Sequence, residues 1–262
     1  MGIFQPLNTP IRDWQGQRVW IVGASSGIGA ALARALAARG AWVALSARRR
    51  EALEEVASAC KGETRVEPMD ATRPEDFERV RERLLAAWGR LDLVVFNAGT
   101  YQPLRAAELT PAVVRGILDT NLLGVMDGVA ACVPLFTRQG RGAMALVGSV
   151  AGYGGLPKAT VYGPGKAALI NFAETLYLDL APVGVSVFLV SPGFVATPLT
   201  AQNDFAMPAL MSPDAAAEAM LAGFARGDFE IHFPRRFTLV LKLLRFLPRR
   251  FYFALIHRLT GL

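Results

Sequence analysis

The chain has 262 residues, 52% of them hydrophobic and 19% charged, which excludes a disordered polymer and suits one sizeable α/β core. Its net charge of +6 belongs to one end: seven Lys/Arg and no Asp or Glu follow Glu230, leaving 21 basic against 22 acidic residues in 1–230. A near-neutral body argues against nucleic acid as a partner.

The N-terminal stretch, residues 1–17, has neither a basic leader nor an unbroken apolar run, and reads as a polar arm in place of a signal peptide. Pro6 stands where a myristoylation signal needs Ser or Thr. Cys60 and Cys132 both fall in helix-like segments, so no disulfide framework is expected and the thiols suit a reducing, cytoplasmic compartment. Nothing in the pattern suggests a metal site.

The first strand, Arg18 to Val22, runs into Gly23-Ala24-Ser25-Ser26-Gly27-Ile28-Gly29 and then an Ala/Leu-rich helix to about Arg39. Such a turn brings backbone N–H groups at a helix N-terminus against an anion, and its glycines let a pyrophosphate approach without a Cβ in the way. A tight turn for helix packing is the bland alternative. With a strand before it and a helix after it, dinucleotide binding is the better reading. Strand-like and helix-like runs then alternate: 42–46 and 50–60, 64–68 and 74–88, 91–96 and 111–136, 143–147 and 159–181, 185–190 and 213–226, and a last strand at 230–233. Alternation of this kind predicts a single doubly wound α/β domain, residues 18–233, on a parallel sheet.

The end of the second strand bears on the cofactor. An acidic residue there takes the ribose 2′-OH of NAD, whereas an arginine accommodates the 2′-phosphate of NADP. Here the strand ends Ser46-Ala47-Arg48-Arg49-Arg50, without a carboxylate, and Arg48 is able to fork onto a phosphate. NADP(H) is therefore expected over NAD(H).

The stretch from Ser149 to Lys166 carries the candidate chemistry. Tyr162 and Lys166 are four residues apart, one helical turn, so the ammonium is placed near the phenol. A free phenol titrates near pH ~10, and an adjacent cation lowers that value. Ser149, at the end of an apolar run, supplies a short donor to the same oxygen. Together they are equipped to move a proton to or from an alcohol or carbonyl oxygen. A lone Tyr-x3-Lys is common by chance, and an ordinary helix is its bland reading.

Taken in order, Gly23-x3-Gly27-x-Gly29, Asp70, Asn97-Ala98-Gly99, Asn121, Ser149, Tyr162-x3-Lys166 and Pro192-Gly193-x3-Thr197 resemble the short-chain dehydrogenase/reductase family in its short, single Rossmann-domain form, over residues 18 to about 230. The resemblance implies that Asp70 lies near adenine, Asn97 to Gly99 flank the cofactor, and Thr197 contacts the nicotinamide carboxamide. It also implies that Lys166 binds the nicotinamide ribose while lowering the pKa of Tyr162, and that Asn121 holds a water in a proton relay. A homodimer or homotetramer built on the two long helices is implied as well. Two departures stand out: Val22 replaces the usual Thr before the first glycine, and Pro164 lies between Tyr162 and Lys166, where it is tolerated mainly in a first helical turn, so this helix is expected to start just before Tyr162, with Gly163 and Gly165 loosening it. A non-catalytic dinucleotide-binding or redox-sensing module is the competing reading, disfavoured because all four polar residues are kept. A sugar-nucleotide epimerase of the extended type is a weaker third.

The expected substrate pocket is apolar: Tyr101, Leu104, residues 150–156, and a lid from Phe194 to Met211 whose single charge is Asp204. Beyond it, residues 234–262 form a basic amphipathic extension. Thr238, Lys242, Arg245 and Arg249 recur at helical spacing among Leu, Val and Phe. Uncharged runs of five to six residues are too short to span a bilayer. Peripheral membrane contact and a cap on the core or on a second subunit remain as the two readings.

Overall fold

The structure, a computed structural model, describes residues 5–260. Seven parallel strands form one sheet: β1 (Arg18–Val22), β2 (Trp42–Ser46), β3 (Thr64–Val66), β4 (Leu93–Phe96), β5 (Gly142–Val147), β6 (Val185–Pro192) and β7 (Glu230–Phe233), in the order β3-β2-β1-β4-β5-β6-β7. The sheet is buried on both faces, and β1 shows how. Val19 and Ile21 point to one apolar layer with α1 (Gly27–Ala37) and α7 (Pro213–Arg226), while Trp20 and Val22 point to the other with α3 (Pro74–Trp88), α5 (Gly124–Gln139) and α6 (Tyr162–Leu180). This is the doubly wound fold expected from the alternation, with α2 (Arg50–Ser58) and α4 (Pro111–Leu118) completing the layers.

Chain order reverses between β1 and β4, so a crevice opens above the strand ends there. Register sets its depth. Val22 pairs with Ser46 on one side and with Phe96 on the other, so the turns that follow these three strands emerge at one level.

Four elements differ in detail from expectation. The helix expected over 111–136 is divided into α4 and α5 by a π turn, Asp119–Leu123. The run Pro111–Gln139 is long and apolar enough to cross a membrane, yet Val125, Val129, Cys132 and Phe136 pack it onto the sheet. The helix expected from 159 begins at Tyr162, which leaves Pro164 in the first turn, where no intrahelical donor is required. The extension is two helices, α8 (Arg235–Leu244) and α9 (Arg249–Thr260), interrupted ahead of Pro248. Residues 5–17 do not dangle: the Asn8 side chain donates to the Val187 carbonyl (2.7 Å) and accepts from its N–H (2.9 Å), and Trp14 is buried edge-on against Phe224.

Candidate active site

Glycines shape the crevice floor. A Cβ at Gly23 would fall 2.5 Å from the main-chain nitrogen of Ala98, and one at Gly29 would fall 2.1 Å from the Gly23 carbonyl oxygen. Only glycine lets the first turn, the start of α1 and the loop after β4 approach so closely. The Asn97 side chain ties the same loops by donating to the Gly23 carbonyl at 2.8 Å. Gly27 sits at φ +56°, and a Cβ there would meet the Thr197 methyl at 2.8 Å, which brings the strand β6 loop across to the helix start.

These residues line a cleft of about 560 Å³. Gly23, Ser25, Ser26, Gly27, Ile28, Arg48, Asp70, Asn97, Ala98, Gly99, Ser149, Tyr162, Lys166, Pro192, Gly193 and Thr197 all stand on its wall. Gly29 lies behind it as a packing glycine, and Asn121 is buried outside it. A flat cradle in which a side chain would collide, closed by the N-terminus of an 11-residue helix, fits a pyrophosphate. Arg48 is exposed on the cleft rim and makes no ion pair among the described residues. Asp70 accepts from the N–H and hydroxyl of Thr72 at 3.0 and 2.8 Å; burial works against its charge, and these bonds with the field of Arg48 outweigh it, holding the carboxyl below its usual range.

The reacting end is built by two more close approaches. After β5, Ser149 opens a short 3-10 turn, Val150–Gly152, and accepts from the N–H of Ala151 at 3.1 Å. A Cβ at Gly152 would fall 2.7 Å from the main chain of Lys166, so this turn lies flush on the first turn of α6. Gly163 and Gly165 play a matching part: Gly165 faces Leu118 and Gly163 the Ala151 carbonyl. Ser149 is thereby held beside Tyr162, close enough for its hydroxyl to pull the phenol pKa down. Tyr101 packs edge-on to Tyr162 with ring centroids 5.1 Å apart.

The electrostatics differ from the expected lowering of the Tyr162 pKa. Burial pushes the phenol up to about 12, with the Ser149 hydroxyl pulling the other way. Lys166 is buried too, which lowers its own pKa to about 8. Its Nζ donates to the Val147 carbonyl at 2.7 Å and stands 5.6 Å from the Tyr162 ring centre, so the cation is spent on main chain and is too remote to offset desolvation. The site therefore presents a protonated phenol at neutral pH. Asn121 is likewise committed: its amide accepts from the N–H of Thr100 and donates to the Thr100 carbonyl, both at 2.7 Å.

The expected apolar pocket is only partly realised. Leu104 packs away with Ile117 and Val161, and Tyr153 is buried. From the lid, Val195, Thr197, Pro198, Leu199, Thr200 and Gln202 line the cleft, whereas Phe205 and Leu210 are exposed. Two devices went unread in the sequence. Main-chain bonds between Phe194 or Ala196 and Met211 close the base of the lid, and the lone lid charge, Asp204, is held by Lys158 at 2.6 Å. The isolated acid in an otherwise neutral lid was the only signal for the second.

Similarity to known proteins follows the same geometry. The short chain dehydrogenase family model matches residues 17–207. An uncharacterized oxidoreductase of Myxococcus xanthus is 41% identical over 245 residues, covering 91% of this chain and 96% of that one. The 11-beta-hydroxysteroid dehydrogenase 1A of Arabidopsis thaliana is 36% identical over 190 residues, covering 71% of this chain and 54% of the plant protein. A solved short-chain dehydrogenase from Sphingobium yanoikuyae, in complex with NADPH, superposes with a TM-score of 0.77 at 29% identity, covering 86% of this chain and 92% of that one. The chain belongs to the short-chain dehydrogenase/reductase family of oxidoreductases.

Proposed function

We propose that this protein is an NADP(H)-dependent oxidoreductase that interconverts a carbonyl and an alcohol on an apolar small molecule. The observation that carries the reading is that Ser149 and Tyr162 stand together on the wall of a glycine-floored cleft, with Lys166 one turn away on the same helix. The bound nicotinamide cofactor supplies the hydride donor or acceptor. In the reductive direction Tyr162, protonated at neutral pH, gives its proton to the substrate oxygen, and the Ser149 hydroxyl steadies that oxygen. Lys166, which lines the cleft one helical turn from Tyr162, is placed to bind the nicotinamide ribose. Arg48 on the rim is the group that favours a 2′-phosphate.

An apolar substrate suits a lid of Val195, Pro198 and Leu199, and the similarity to a hydroxysteroid dehydrogenase supports that class. Members of the family commonly oligomerise, and the exposed Leu178 on α6 offers a face for a homodimer or homotetramer. We place the protein in the cytoplasm, where unpaired Cys60 and Cys132 stay reduced.

The test is the loss of NADPH absorbance with a panel of apolar ketones and aldehydes, using the native chain and Tyr162→Phe. Turnover should fall by at least about 10²-fold in the variant, in the range that general acid catalysis supplies. NADPH affinity should be nearly unchanged. Retained turnover in Tyr162→Phe would remove the proposed mechanism.

A further inference from the structure

The C-terminal helices send both apolar and polar side chains inward: Phe237 and Leu241 of α8 pack on the core, and two polar residues go with them. Thr238 and Lys242, four residues apart, point into the body. The Thr238 hydroxyl meets Nδ1 of His232 at 2.5 Å, and Lys242 pairs with Glu230 at 2.6 Å. On α9 the inward positions are Tyr252 and Ile256, and the Tyr252 hydroxyl donates to the Gly155 carbonyl at 2.8 Å. What faces outward is apolar: Leu239, Leu243, Phe246, Phe251, Phe253 and Leu259, with Phe246 83% and Leu243 67% exposed. Exposed apolar side chains clustered on one short segment mark an interaction surface. Five arginines, Arg235, Arg236, Arg249, Arg250 and Arg258, stand on the same two helices and a sixth, Arg245, lies between them, and none has an ion-pair partner among the described residues.

We infer that this face is a docking surface for an anionic lipid bilayer. Apolar side chains of this size sink to the headgroup boundary while arginines meet lipid phosphates, a pairing of forces suited to helices lying in an interface. Charge decides against a second copy of the chain as the occupant. A two-fold contact sets a patch against itself, and this patch has six arginines and no carboxylate beyond Glu230 to receive them. The surface is also continuous with the substrate loops. Phe237 of α8 packs against Phe194, which meets Phe205 of the lid edge-to-face, and Tyr252 of α9 touches Gly154 and Gly155 beyond Ser149. A bilayer held there lies beside the loops that admit an apolar substrate, although the docking itself does not depend on which reaction the site runs.

Sedimentation of the full chain with phosphatidylcholine vesicles, with and without phosphatidylserine, at low and high salt tests this. Leu243→Asp/Phe246→Asp and Arg245→Gln/Arg249→Gln serve as variants that leave every inward contact in place. The native chain should pellet with phosphatidylserine vesicles at low salt and be released as salt screens the arginines. The arginine pair should lower partitioning roughly 25-fold, from about fivefold per cation, and the aspartate pair should abolish it. Soluble-ketone turnover and thermal unfolding should stay native in both. A native chain that stays in the supernatant at low salt, or variants that pellet equally, would overturn the inference. So would dissociation of an oligomer by Leu243→Asp/Phe246→Asp without any vesicle binding, which would assign the face to a second copy.

Discussion

At the scale of single residues, charge placement carries the cofactor and pH behaviour. Arg48 and Arg50 both follow β2, but Arg50 is engaged with Glu54 along α2 at 3.6 Å, whereas Arg48 faces the cleft. A charge-assisted pair with a phosphate is worth about 1.5–3 kcal/mol, or roughly ten- to hundredfold in affinity. Arg48→Ala should weaken NADPH by that factor and NADH hardly at all, measured as the two dissociation constants by fluorescence titration; equal losses would assign Arg48 to the solvated rim. The phenol makes a second prediction. With the Tyr162 pKa pushed up to about 12, the protonated form needed for carbonyl reduction prevails through neutrality, while the phenolate needed for alcohol oxidation grows as pH rises toward that value. Oxidation should accelerate between pH 7 and 9 and reduction should not, and stopped-flow rates in both directions that rose together would contradict this assignment. The identities of these residues were readable from motif order, but the direction of the Tyr162 shift was not. It depends on how deeply the phenol is buried and on Lys166 donating to Val147, neither of which a spacing of four residues specifies.

At the scale of elements, the alternation of strand and helix runs was legible because both faces of the sheet are covered, so its central strands are near-continuous apolar runs. Pro164 located the start of α6 for a local reason: its missing donor is harmless only in a first turn. The π turn at Asp119–Leu123 was illegible, since no residue in Asp-Thr-Asn-Leu-Leu breaks a helix, while α4 packs through Ile117 on Leu104 and Val161 and α5 packs on the sheet. The glycines of the α6 region read from sequence as loosening. In the structure they tighten it, because Gly152 and Gly163 let the Ser149 turn and α6 touch main chain to main chain. A bulkier residue at either position would push Ser149 away from the phenol.

At the scale of the whole molecule, the extension is where composition and structure part. Its spacing of Thr238, Lys242, Arg245 and Arg249 looks like a basic face turned to the outside, and truncation near Arg235 would then leave the reaction intact. Packing divides that face. Thr238 and Lys242 are interior anchors, and only the arginines are outside. The Lys242 partner, Glu230, also accepts the Tyr153 hydroxyl; burial raises its pKa, but these two bonds outweigh that effect and keep the carboxylate charged. Tyr153 lies four residues beyond Ser149, and Phe237 packs on Gly193 in the cleft wall. Removing residues after 234 would leave the Glu230 carboxylate without its cation, at about 1–3 kcal/mol for such a part-buried group, and would uncover the aromatic packing as well. For a domain of this size each kcal/mol moves Tm by roughly 2–4 °C. A chain ending at residue 234 should therefore unfold at least about 5 °C lower and turn over a soluble ketone more slowly, because the Ser149 loop and the Pro192-Gly193 turn both lose their backing. Calorimetry and initial rates on the two chains decide the matter: native Tm and turnover in the shortened chain would make the extension a passive appendage, while loss of both makes it a buttress of the reaction site.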